Sequence, residues 1–250
     1  MTQHAPVYCK NTDSKGLVIF IHGFMGSPVQ FACLIDAVHK QGYSTATLLL
    51  PGHGGSAAKF ASGTYECWQN YVDNEIEQFS KDYDRILLVG HSMGGLLAIN
   101  TSVKQSKNVC GIFMIACPFI VTKVSTYAIK IRLKQAFSRK SNPIKAAYLN
   151  SSSVSLSPNL LWSTIKPSME LKKLMHVAGS NLPKVTAPIT AVYSSADELT
   201  SIKSLEILKN ELHKSLLTEV LISDSLHAYY PEKEQSIIEE SLIKALDSLA

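Results

Sequence analysis

Apolar residues arrive along this chain in short, nearly unbroken bursts, separated by longer stretches in which they recur on a helical period. The burst GLVIFIHGF at residues 16–24 is rich in β-branched side chains and predicts a strand buried on both faces. Ser27-Pro28 then opens a predicted helix to about Lys40, with Phe31, Leu34, Ile35 and Val38 on one face and Gly42 just past its end. YSTATLLLP, DRILLVG, VCGIFMIACP, APITAVYSSAD and LLTEVLISDS predict further strands. A second helix is predicted from about Thr64, where Trp68, Val72, Ile76 and Phe79 recur at helical spacing. Others follow over SMGGLLAINTSVKQ, over residues 201–213 and from about Pro231.

Strands therefore alternate with helices. The fold class is α/β, a mostly parallel sheet flanked by helices, and in such sheets the loops at the strands' carboxyl ends carry the chemistry. HGFMGS, PGHGGS, GHSMGG, CPF, SSADELT and DSLHAYY all fall at those ends.

One segment breaks the alternation. Residues 119–176 hold ten basic residues (Lys123, Lys130, Arg132, Lys134, Arg139, Lys140, Lys145, Lys166, Lys172 and Lys173) against one acid, Glu170. The rest of the chain has more acids than bases, so the shift marks an insertion: a basic helical cap at 119–176 over a core made of 1–118 and 177–250.

Composition narrows the class. With 250 residues, 46% hydrophobic and 18% charged, the chain is an ordinary globular protein of a size often met as one α/β domain. No apolar leader followed by a cleavage site is visible at the N-terminus, and the longest apolar run, 109–121, is interrupted by Pro118 and too short for a bilayer. The expectation is a soluble cytoplasmic protein. Five scattered cysteines suit reduced thiols, and nothing suggests a metal site. No nucleic-acid-binding module accompanies the basic residues.

The chemistry centres on Gly90-His91-Ser92-Met93-Gly94, which matches G-x-S-x-G between a strand and a helix. A serine hydroxyl is a weak nucleophile until a base takes its proton, and the flanking glycines allow a turn sharp enough to present it. The partners follow in the order acid, then histidine. His227, after LLTEVLISDS, is the candidate base, and Asp197, after PITAVYSS, the candidate acid, with Asp224 as the alternative. Glu198 reads as solvated. The backbone N–H groups of Met93 and Phe24 are candidate oxyanion donors, and His53 organises its loop. Met25, Met93, Phe119 and Trp162 are candidates to line an apolar acyl site.

With FIHGFMGSP, LLLPGHGGS, LLVGHSMGG, YSSADEL and SLHAYYPEKE in this order, the chain resembles the α/β-hydrolase superfamily over almost its whole length. It looks most like the compact bacterial carboxylesterases and monoacylglycerol-lipase-like members. The resemblance implies hydrolysis of carboxylic esters, of short to medium acyl chains or monoacylglycerols, through an acyl-enzyme on Ser92 and without metal or organic cofactor. It departs at Leu226 and Ser194, where many members carry glycine. Relatives also include serine aminopeptidases, but a site gripping a cationic amine wants carboxylates, and this cap has only Glu170. A different class stays open: a binding protein that keeps the fold with little turnover, its cationic cap resting weakly on an anionic surface. No oligomeric state is implied.

Overall fold

The computed structural model describes residues 4–121, 143–154 and 160–247. Strand β2 (Leu17–Ile21) is buried at every position. Leu17, Ile19 and Ile21 enter one core, while Val18 and Phe20 enter the other. Burial on both faces explains why five apolar residues stand in a row instead of alternating with polar ones.

Around β2 lie β1 (Tyr8–Cys9), β3 (Ser44–Leu48), β4 (Ile86–His91), β5 (Val109–Ile115), β6 (Ile189–Ser194) and β7 (Leu217–Ile222). Among the described residues they form one sheet in the order β1-β3-β2-β4-β5-β6-β7, parallel except for the short β1. After β2 the chain moves to β3 on one side, then crosses to β4 on the other. That reversal leaves a crevice at the carboxyl ends of β2 and β4, the place where open α/β sheets bind ligands.

The helices are α1 (Ala32–Lys40), α2 (Ala57–Ala61), α3 (Tyr65–Phe79), α4 (Met93–Lys104), α5 (Pro143–Ser151), α6 (Leu160–Ser163), α7 (Ile165–Asn181), α8 (Lys203–Glu211) and α9 (Glu232–Asp247). Trp68, Val72 and Ile76 of α3 and Leu96 and Leu97 of α4 fill one core. Leu34 and Val38 of α1 and Ile238, Leu242 and Leu246 of α9 fill the other. Each such side chain contributes about 1.5–3 kcal/mol by leaving water. Thr64 starts α3 by accepting the Cys67 N–H at 3.2 Å.

Two predicted boundaries move. The helix expected from Ser27-Pro28 is split into a 3-10 turn (Pro28–Phe31) and α1. The tighter turn, capped by the Ser27 hydroxyl, brings the Phe31 ring to 5.2 Å from that of Phe20. The second shift concerns the cap. The boundary at 176 falls inside α7, which runs on to Asn181 and buries Leu174 and Ala178 in the core beside α4. Asn181 also donates to Asn100 on α4 at 3.0 Å. The end of the predicted insertion thus packs as a core wall, and α5 and α6 are its other described helices. Lys123, Lys130, Arg132, Lys134, Arg139 and Lys140 lie outside the described residues.

Glycine matters most where α4 meets the sheet. A Cβ on Gly94 would stand 1.9 Å from the Ile21 carbonyl oxygen, against backbone that cannot yield. Gly179 on α7 has nothing within 4 Å of the same position. Gly94→Ala is therefore expected to destabilise the fold by at least about 3 kcal/mol. Gly179→Ala is expected to stabilise it by up to about 1 kcal/mol, because a helix interior favours alanine. Thermal melts of the two variants check the opposite signs.

Candidate active site

Ser92 alone makes the bend between β4 and α4, at φ 52° and ψ −119°. A non-glycine residue held there costs on the order of 1–3 kcal/mol, so the surroundings must enforce it. The Ser92 N–H donates to the Ile115 carbonyl at 2.8 Å, and its own carbonyl accepts from Gly95 at 2.9 Å. Gly90 and Gly94 leave the bend the room it needs: a Cβ on Gly90 would lie 2.4 Å from the Gly95 nitrogen. Met93, buried, is the first residue of α4, so its N–H belongs to the first turn, whose amides the helix ladder does not use.

The candidate acid and base, Asp197 and His227, follow the ends of β6 and β7. His227 Nδ1 donates to Asp197 Oδ2 at 2.9 Å, which leaves Nε2 as the basic nitrogen. Asp197 Oδ1 accepts the N–H groups of Leu199 and Thr200, both at 2.8 Å, so the carboxylate cannot swing away. Burial pushes the Asp197 carboxyl pKa up, but the imidazole and these two amides outweigh it and hold the group below its ordinary value. Asp224, the alternative, is exposed; it is Asp197 that meets the imidazole. His91, the residue before Ser92, donates from Nε2 to the His227 carbonyl at 2.9 Å, its ring tilted by 52° and 4.9 Å from that of His227. The serine turn and the histidine loop are thereby in direct contact.

The loop after β2 packs against the other side of Ser92. A Cβ on Gly23 would stand 3.0 Å from the Ser92 Cβ. Gly26 N–H donates to the Gly23 carbonyl at 2.8 Å, closing a turn in which Met25 takes φ 57° and Phe24 sits between them. Two histidines brace it. His22 Nε2 accepts the Leu50 N–H at 3.1 Å while Nδ1 donates to the Gly23 carbonyl at 2.9 Å. Burial, with His53 nearby, keeps the His22 pKa well below its ordinary value, as this neutral pattern requires. His53 Nε2 accepts the Met25 N–H at 3.2 Å, which matches the loop-organising part expected of it.

Two carboxylates overlooked in the sequence hold the histidine loop. Glu234 on α9 is buried and accepts from Ser223 N at 2.7 Å, Asp224 N at 2.9 Å and the Ser225 hydroxyl at 2.5 Å. Glu198, expected to be solvated, is half-buried and accepts the His227 N–H at 3.0 Å. The one sequence signal was that Glu198 adjoins Asp197; Glu234 lies further on, at the start of the last helix. Both departures from glycine are also accommodated. Ser194 Oγ donates to the Ser225 carbonyl at 2.6 Å, and Leu226 needs no positive φ.

The expected acyl-site residues scatter. Met25 is buried in the core, and Phe119 packs half-buried against it. Trp162 is 77% exposed on α6, so its ring stands in solvent rather than in an apolar site. A cavity of about 300 Å³ instead opens beside His91 and Ala228, between Gln30, Phe31, Asn150 and Tyr229. Glu170, the single acid of the cap, accepts the Tyr65 N–H at 3.3 Å at the start of α3 and pairs with Lys173 at 2.7 Å. Among the described residues, no three His, Cys, Asp or Glu side chains gather as a metal site, and no helix is long and apolar enough to cross a membrane.

The model of the hydrolase family described as serine aminopeptidase, S33 matches residues 12–234. The chain belongs to this family. It is 23% identical over 245 residues to a thermostable monoacylglycerol lipase of Bacillus sp. (strain H-257), covering 95% of this chain and 92% of that protein. It is 21% identical over 233 residues to a carboxylesterase of Bacillus subtilis (strain 168), covering 93% and 92%. The crystal structure of Paleococcus ferrophilus monoacylglycerol lipase superposes with a TM-score of 0.74 at 18% identity, over 98% of this chain and 99% of that one. The architecture of this S33-family chain is the α/β-hydrolase fold.

In this family member the Glu234 carboxylate links acidity to stability. Burial raises its pKa, but the Ser225 hydroxyl and the amides of residues 223–225 outweigh that and hold it below the ordinary 4.5. Such a group binds its proton more readily when the chain is unfolded, so its stabilisation is present above pH 4.5 and lost as pH falls through the lowered folded value. Glu234→Gln is expected to be less stable than the parent at pH 7, and the gap to narrow below pH 4.5. Urea unfolding at several pH values measures it; a constant gap contradicts the assignment.

Proposed function

We propose that Ser92, His227 and Asp197 act as a catalytic triad that hydrolyses carboxylic esters through an acyl-enzyme. The observation that carries this reading is the strained Ser92 bend in contact, through His91, with a histidine whose Nδ1 is held by a buried carboxylate.

His227 Nε2 takes the proton as Ser92 Oγ attacks the ester carbonyl, and Asp197 stabilises the imidazolium that results. The oxyanion forms beside the N–H groups of Met93, which opens α4, and of Phe24, in the loop that packs on Ser92 through Gly23. Collapse expels the alcohol, which takes the proton from His227. Water then repeats the cycle on the acyl-enzyme, releasing the carboxylic acid and restoring Ser92.

The substrate class is an ester with a short to medium acyl chain, or a monoacylglycerol. The cavity beside His91 and Ala228 offers space for one arm of such an ester. Cleavage of an N-terminal residue fits less well, because Glu170 is already spent on Lys173 and the α3 N-terminus. Exposed Lys166, Lys172 and Lys173, near Trp162, Ile165 and Met169, suit weak contact of the cap with an anionic surface.

A fluorophosphonate probe is expected to label the protein stoichiometrically and to lose all signal in Ser92→Ala. Ser92→Ala and Asp197→Asn are expected to lower kcat for p-nitrophenyl butyrate by about 10⁴-fold or more, and Asp224→Asn to leave it within about twofold. A parent protein that never labels would identify a binding protein on this fold. A loss confined to Asp224→Asn would move the acid.

A further inference from the structure

The Glu198 carboxylate is shared between two parts of the molecule that are far apart in sequence. One oxygen, Oε2, accepts the His227 N–H at 3.0 Å. The other, Oε1, accepts the hydroxyl of Tyr148, which is 3% exposed on α5 of the cap. The same stretch of cap reaches the opposite flank of the site. Ser153, just past α5, donates its N–H to the Met25 carbonyl at 3.1 Å and its hydroxyl to the Gly26 carbonyl. Between these anchors α5 packs on the Pro28–Phe31 turn that follows the Phe24 loop. Residues 148–153 thus link the Glu198 carboxylate, which holds the His227 amide, to the Met25–Gly26 loop.

We propose that Tyr148 and Glu198 are positioning residues: docking of α5 seats the His227 backbone through the Glu198 carboxylate, so that cap placement and assembly of the base are one event. The proposal rests on the triad reading. A hydroxyl donating to a carboxylate out of bulk water makes a strong, directional bond. Glu198 supplies a fixed point at the His227 amide. The carbonyl is held by His91 and by Tyr230 at 3.2 Å, and the ring by Asp197. If the amide point is lost, residue 227 can pivot about the others, and displacements well under an ångström degrade proton transfer.

The test compares Tyr148→Phe, Glu198→Gln and the double variant with the parent on p-nitrophenyl butyrate, beside thermal melts and fluorophosphonate labelling rates. Each single variant is expected to lose about tenfold or more in kcat with KM changed less than about twofold. The double variant is expected to be no slower than the worse single one, because both remove the same link. Amide exchange in the 223–230 peptide should quicken in Tyr148→Phe even though that substitution lies on another element. Unchanged kcat and unchanged exchange in Tyr148→Phe, or losses that multiply in the double variant, overturn the proposal. A parent that neither labels nor turns over sinks the triad reading instead, while the exchange measurement still reports on the link.

Discussion

The structure depends on how closely α4 can approach the ends of β2 and β4. Gly94 lies against the Ile21 carbonyl where no side chain fits, and Gly90 lies against the Gly94–Gly95 backbone. That approach compresses the connection from strand to helix into a single residue, so Ser92 has to adopt φ 52°. The strain is local, and the two cores pay for it: β4 and α4 are almost wholly buried and cannot relax to relieve one torsion. A serine on a longer turn would avoid the strain and lose its fixed presentation.

Charge is distributed unevenly around that bend, and the asymmetry makes chemical sense. On the side of Phe24 the bracing groups are neutral histidines, His22 and His53, whose acceptor nitrogens hold backbone amides. A carboxylate in their place would oppose the negative oxygen that ester attack creates. On the side of His227 the bracing groups are carboxylates: Asp197 on the ring, Glu198 on the amide and Glu234 on the preceding residues. There the proposed mechanism forms a positive imidazolium, and negative neighbours favour it. The sheet separates the two environments by placing their loops on different strands.

Much of this was readable in the amino-acid order. Unbroken apolar bursts such as LVIFI, rich in β-branched residues, predict strands covered on both faces, and G-x-S-x-G at a strand–helix join fixes the position of its serine. What periodicity could not reveal were contacts made by single polar atoms across long separations. Glu198 reads as surface because nothing local shows that Tyr148 and the amide of His227 will meet its two oxygens. Glu234 sits in an ordinary acidic first turn of a helix, where the usual part for a glutamate is to offset the dipole. Trp162 misleads for the converse reason: size and apolarity argue for burial, yet its helix turns that face outward. The charge shift ends at 176, but α7 runs through that point to Asn181 and buries Leu174 and Ala178 in the core, because a helix can continue without a change in composition.

The direct pairing of Ile21 with Gly90 in the sheet has one more consequence. Phe24 and Met93, the proposed oxyanion donors, follow these adjacent strands, so the gap between their loops draws on the regular spacing of a hydrogen-bonded ladder. That gap is a property of the backbone and is indifferent to most side-chain change. Evolution can therefore rewrite the side chains around a bound ester while that spacing stays calibrated, which separates the inheritance of chemistry from the inheritance of taste.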